Sequence, residues 1–125
     1  MKSVVTAAGA PAAIGPYSHA ISTGNFLFTS GQIALDPATG KLVGDTIEAQ
    51  TEQVLKNLEA VLAANEMTFA NVVKTTVFLT DLSDFSVVNS IYATKFPSEA
   101  PARSCVQVAG LPAGSKIEIE LVACK

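Results

Sequence analysis

The sequence predicts an α+β fold, a two-layer sandwich in which two helices pack on one face of a mixed β-sheet. Three observations point there. Two segments repeat their apolar residues at three- and four-residue steps, whereas the segments around them alternate or run rich in β-branched and aromatic residues. Glycine and proline fall in short clusters between these segments, as connectors inside one compact unit do. The length of 125 residues, with 49% apolar and 15% charged, suffices for one buried core and not for two, so residues 1–125 read as a single domain.

Residues 1–25 are rich in Ala, Gly and Pro, and the Gly15-Pro16 step disfavours helix; short edge strands and an ordered loop are expected here. Phe26 to Leu35 reads as a strand closed by the turn Asp36-Pro37-Ala38-Thr39-Gly40. Gly31 in its middle marks a bulge or a close approach by another group. From Asp45 the period lengthens. Ile47, Val54, Leu55, Leu58, Val61 and Leu62 form an apolar stripe, and Gln50, Glu52, Gln53, Lys56 and Glu59 fill the other face of a first helix. Asp45 or Thr46 can cap it, and Asn65 stands where a left-handed C-terminal residue is common.

Val72 to Leu79 is a strand by β-branching. Ser83 or Asp84 opens a second helix carrying Phe85, Val88, Tyr92 and Phe96 on one stripe, ended by Pro97. Ala102 to Ala109 and Lys116 to Cys124 alternate as two further strands, read as an antiparallel hairpin joined through Gly110-Leu111-Pro112-Ala113-Gly114-Ser115. In the strand from Val72, one face presents Val73, Thr75, Val77 and Leu79 and the other Val72, Lys74, Thr76 and Phe78, so neither is a freely solvated face. No chain remains for a third layer. Another copy of the protein is therefore expected to cover the second side, giving a homo-oligomer with sheet-face contacts.

Eleven carboxylates stand against seven lysines and a single arginine, Arg103, for a net charge of −3. Without a basic cluster, no nucleic-acid partner is expected. No apolar run approaches the roughly 18 residues a membrane span needs, and the start of the chain lacks a signal peptide's apolar region, so the cytoplasm is the expected compartment and no membrane partner is expected. Cys105 and Cys124 are read as reduced. With His19 the only histidine and no CxxC pair, neither a metal site nor metal catalysis is expected.

Alternation puts Arg103, Cys105 and Gln107 on one face of their strand, and Glu118 and Glu120 opposite the apolar Ile117, Ile119 and Leu121 on theirs. If the two strands form a hairpin with coincident apolar sides, the sole arginine shares a face with both glutamates. The ordinary use of such a pattern is a cross-strand ion pair worth at most about 1 kcal/mol. The functional use is a partly desolvated seam of guanidinium, thiol and carboxylate beneath a neighbouring subunit. Cys105 reads as a small buried hydrophobe rather than a nucleophile, and His19 as a loop residue bonded locally rather than a base. Tyr17 is either an aromatic anchor or a ligand donor.

Five segments, AAIGPYS at 12–18, TSGQI at 29–33, VVKTTVFLTDLSDFSVVN at 72–89, PARSCVQVAGLP at 101–112 and KIEIELVA at 116–123, resemble the reactive intermediate deaminase family, RidA subgroup. PARSC followed by LP and IEIE is the specific part. The resemblance implies a homotrimer with a chorismate-mutase-like α+β fold. It also implies an enzyme that hydrolyses 2-iminobutanoate and 2-iminopropanoate, tautomers of enamines, to 2-keto acids and ammonia without metal or cofactor. By the same resemblance, Arg103 holds the substrate carboxylate, Glu118 positions or activates water, and the backbone at Cys105 meets the imine end. Tyr17, Ser30, Gly31 and Asn89 complete a pocket between subunits. The chain departs from the family pattern at His19, where Gln is common, at Ala20 and Gly110, and in a shorter stretch from Tyr92 to Pro101.

The chemistry fits those residue types. A guanidinium grips a carboxylate bidentately and never deprotonates, and one carboxyl group can carry a proton from attacking water to departing nitrogen. Burial raises the pKa of Glu118 and a nearby Arg103 lowers it, and the sequence leaves that balance open. Two other readings stand beside this one. A non-enzymatic, small-carboxylate-binding or regulatory trimer would use the same clefts. A ribonuclease is disfavoured by the acidic chain.

Overall fold

The computed structural model describes residues 1–125. Seven strands form one mixed sheet. The chain begins with β1 (Lys2–Val5), a long loop, and then β2 (Ala20–Thr23) and β3 (Phe26–Thr29). The expected strand from Phe26 to Leu35 is broken: β3 ends at Thr29, and a two-residue β4 (Gln32–Ile33) resumes beyond Ser30-Gly31. Helix α1 (Ile47–Ala64) follows, capped by Thr46, whose Oγ1 accepts from the Ala49 N–H at 3.2 Å. At its end the left-handed residue is Glu66 (φ 57°), one position later than expected, while Asn65 lies at φ −111°. Then come β5 (Val72–Leu79), α2 (Phe85–Lys95), β6 (Ala102–Gln107) and β7 (Ile117–Cys124). Asp84 stands at the N-cap position of α2, as expected, without a side-chain capping bond, and Asp81 caps the 3₁₀ turn before it, its Oδ1 accepting from the Ser83 N–H at 2.9 Å.

The order across the sheet is β1-β2-β3-β7-β5-β6, with β4 also pairing β7. This overturns the hairpin. β6 and β7 are not neighbours, because β5 lies between them, parallel to β6 and antiparallel to β7. The cause is the α2 crossover: a strand that returns to the sheet after a helix lands parallel to the strand that preceded the helix. The connector after β6 then spans the end of β5, where the Val108 N–H donates to the Leu79 carbonyl and the Thr80 N–H to the Lys116 carbonyl.

Both helices cover the same face. Val54, Leu55, Leu58, Val61 and Leu62 of α1 join Val77, Leu79, Ile117, Ile119 and Leu121 of the sheet in one buried cluster. Two polar residues of α1 are buried as pins, and one of them, Gln50, expected on the outer face, turns inward because the Lys116 N–H gives its amide oxygen a partner. Asn57 donates to the carbonyls of Ile33 and Leu35 at 3.2 and 3.0 Å, and Gln50 accepts from the Lys116 N–H at 2.8 Å. Helix α1 thus fixes both β4 and the entry to β7. The faces of β5 also differ from simple alternation: a bulge between Val72 and Lys74 turns Val72 into the core with Thr75 and leaves Val73 exposed.

The opposite face of the sheet has no second layer within the chain. Register places Val4, Ile21, Phe28 and Val122 in one row across it. Val4, Phe26, Phe28 and Val106 are 62, 45, 46 and 42% exposed. An apolar surface of this kind is unusual for a face that meets only water.

Candidate functional site

The candidate residues gather in two clusters, one on each face. The first forms where the chain crosses from β3 to β4. Ser30 is tied at both ends, its N–H donating to the His19 carbonyl at 2.9 Å and its Oγ to the Ser18 carbonyl at 2.6 Å. β4 pairs with β7 so that Ile33 stands opposite Glu118. The Glu118 side chain comes so close to Gly31 that a Cβ there would overlap the carboxylate. The glycine is therefore required by close approach, the second of the two expected causes. A cleft of about 350 Å³ opens between Ile14, Tyr17, Ser30, Gly31, Ile33 and Glu118. Tyr17 is half-exposed at its rim, and its hydroxyl accepts from the Ile14 N–H at 3.4 Å.

Burial pushes the Glu118 carboxyl above the usual carboxylate range, and the neighbouring Glu120 pushes it further in the same direction. The sign left open by the sequence is thus settled upward, because Arg103 is not beside it. A carboxyl tuned this way suits both giving and taking a proton. Gly31→Ala is expected to lower any activity of this cleft by about 100-fold, by displacing the carboxyl from its place. Urea denaturation alongside the assay separates that loss from unfolding.

His19 stands behind this cleft rather than in it. The ring is buried; Nδ1 accepts from the Ala7 N–H at 2.9 Å, so Nε2 carries the proton and donates to the Pro11 carbonyl at 2.7 Å. The local structural role expected for it holds. His19→Ala leaves a donor and an acceptor unmatched and is expected to cost about 1–3 kcal/mol of stability, measurable by denaturation.

The second cluster lies on the helix-covered face, at the β6 edge. Arg103 is paired with Thr75 in the ladder and its Nη1 donates to Asn89 Oδ1 on α2 at 2.8 Å. The guanidinium carbon sits 4.8 Å from the Tyr92 ring centroid and 5.4 Å from that of Phe85. A cleft of about 480 Å³ opens here, lined by Asn89, Tyr92, Pro101 and Arg103. Cys105 is two residues on, part-buried, and burial raises its thiol pKa more than Arg103 lowers it. That favours the neutral thiol over a nucleophile. Cys105 and Cys124 are both free.

Arg103 and Glu118 consequently do not share a face, contrary to the hairpin-based expectation, and the cross-strand ion pair with Glu118 or Glu120 is excluded by the same register. Inserting β5 between β6 and β7 changes which faces coincide: Arg103 aligns with core-facing Thr75, whereas Glu118 aligns with outward-facing Phe78. Tyr17, Ser30, Gly31 and Glu118 come together; Asn89, Arg103 and Cys105 come together; one chain does not join the two sets. Tyr92 and Phe85 at the guanidinium went unassigned, although Phe85, Asn89 and Tyr92 fall at four- and three-residue steps and so share one side of α2.

The fold and clusters define a class: a small α+β sandwich, helices on one face only, with a carboxyl cleft and a guanidinium cleft on opposite sides of its sheet. The chain belongs to the Endoribonuclease L-PSP family, which matches residues 7–125. It is 54% identical over 98% of its length to Arabidopsis thaliana Reactive Intermediate Deaminase A, chloroplastic, of which it covers 65%. It is 49% identical over 98% of its length to the Homo sapiens 2-iminobutanoate/2-iminopropanoate deaminase, covering 90% of that protein. A solved Thermotoga maritima structure superposes with a TM-score of 0.97 at 51% identity, over 100% of this chain and 98% of that one.

Proposed function

We propose that this protein is a deaminase that hydrolyses 2-iminobutanoate and 2-iminopropanoate to 2-keto acids and ammonia, in clefts that two copies complete within a homotrimer. The observation that carries the reading is the split of the two clusters. A guanidinium with unused N–H groups sits on one side of the sheet and a carboxyl beside an open cleft on the other, next to an exposed apolar face suited to a second copy. The activity named for the human relative supports the choice of substrate.

Arg103 grips the substrate carboxylate with two parallel N–H groups and so presents C2 to one side. Water adds to C2 and the C=N electron pair moves to nitrogen. Glu118 takes the proton from the adding water and delivers it to that nitrogen. Glu118 then passes the carbinol O–H proton to the amine nitrogen as the C–N bond breaks, giving the ketone and ammonia. Tyr17 and Ser30 border this space, and the backbone at Cys105 faces the imine end. The polypeptide supplies all groups this scheme uses. The cytoplasm, where such imines would be released by other enzymes, is the compartment this role suits.

The test generates the imine in place with an amino-acid dehydratase and follows keto acid formation against semicarbazide trapping. Acceleration over buffer is expected; none would defeat the reading. Binding of 2-ketobutyrate without turnover would instead favour the carboxylate-binding trimer. The family description names an endoribonuclease, but a net charge of −3 without a basic cluster in the sequence speaks against a phosphate-backbone partner. Light scattering at micromolar concentration is expected to report a trimer.

A further inference from the structure

A bidentate clamp must fix the plane of the guanidinium as well as its position, since two N–H groups have to meet two oxygens together. Asn89 supplies one hydrogen bond, at Nη1, which leaves rotation about that bond free. Two aromatic rings lie against the guanidinium. Tyr92 lies 4.8 Å from the guanidinium carbon and is itself packed against Phe96 (4.6 Å, tilted 38°), which meets Phe69 edge-on at 5.3 Å.

Tyr92 is itself buried, and its hydroxyl bonds the buried Thr75 Oγ1 at 2.7 Å. Thr75 is the ladder partner of Arg103. A closed circuit results: strand β6 to Thr75, Thr75 to the Tyr92 hydroxyl, and the Tyr92 ring back to the guanidinium that β6 carries. Phe85, at 5.4 Å, provides the further ring.

We propose that Tyr92, held by the Thr75 hydroxyl, is a positioning residue that orients the Arg103 guanidinium for bidentate recognition of the substrate carboxylate. This rests on the clamp role assigned to Arg103 above, and the experiment is chosen to separate the two. Arg103 is the sole arginine, so ¹⁵N-labelled protein gives a single arginine Nε–Hε signal, displaced by the ring currents of its neighbours.

In Tyr92→Leu this signal is expected to move toward that of a solvent-exposed arginine, and affinity for 2-ketobutyrate to fall about three- to tenfold, the range a lost cation–π contact implies. Tyr92→Phe keeps the ring and should recover most of both, losing at most about threefold. Thr75→Val preserves core shape while freeing the ring, and is expected to move the signal in the same direction by less; it serves if Tyr92→Leu does not fold. An unmoved signal with affinity within twofold in Tyr92→Leu, or in Thr75→Val if the former is unfolded, would overturn the proposal. If the unaltered protein neither binds 2-ketobutyrate nor turns imine over, the functional reading fails. The displaced signal and its response to the variants would then still judge the orienting geometry.

Discussion

Arg103→Lys is expected to lose about two orders of magnitude in kcat/KM toward imino acids, with the melting temperature changed little. An ammonium keeps the charge, so long-range attraction for the substrate carboxylate survives. It loses the planar fork, the bond to Asn89 Oδ1 as now built, and the stacking against the Tyr92 and Phe85 rings. What disappears is orientation: C2 no longer meets the water at a fixed angle. Arg103 sits at an edge strand and is only part-buried, so the core does not depend on it. Steady-state kinetics with a thermal melt checks both halves. Activity within a few-fold of the unaltered protein would refute the clamp.

The elements were legible because their periods are unmistakable: the α1 stripe from Ile47 to Leu62 and the β-branched run Val72 to Leu79 appear where expected. Strand order was not. Alternation assigns a residue to one of two faces of its own strand, and relating faces between strands needs to know which strands are neighbours. Ala102–Gln107 and Ile117–Cys124 are adjacent in sequence, yet β5 separates them, and that inversion moved Arg103 to the far side from Glu118. The break at Ser30-Gly31 was flagged by its glycine, but only three-dimensional pairing identifies Glu118 as the group that demands it. Tyr92 was read as core, and it is core. Its second role depends on Arg103 reaching it from a strand ten residues on, which no local pattern encodes.

Glu118→Gln is expected to lower turnover by about 10²- to 10⁴-fold, the range for removing a general acid–base group, while making the fold more stable at neutral and alkaline pH. The sign follows from the direction of the shift. Burial and Glu120 raise the Glu118 pKa in the folded state above its unfolded value of about 4.3, so the favourable protonated form contributes stability below that pH and the contribution is lost as pH rises through the folded pKa. Glutamine cannot ionise and loses nothing. Urea midpoints of the two proteins should therefore coincide in acid and diverge toward pH 8, with the variant the more stable. Equal stability throughout would mean that Glu118 is not strained by ionisation where it stands. The same variant tests how sites are divided between copies. Glu118→Gln and Arg103→Lys chains, each nearly inactive alone, are co-refolded in equal amounts. A site drawing its guanidinium from one chain and its carboxyl from the next is intact when the first is the Gln variant and the second the Lys variant, giving about one quarter of full activity in a cyclic assembly. Sites contained within single chains would recover none.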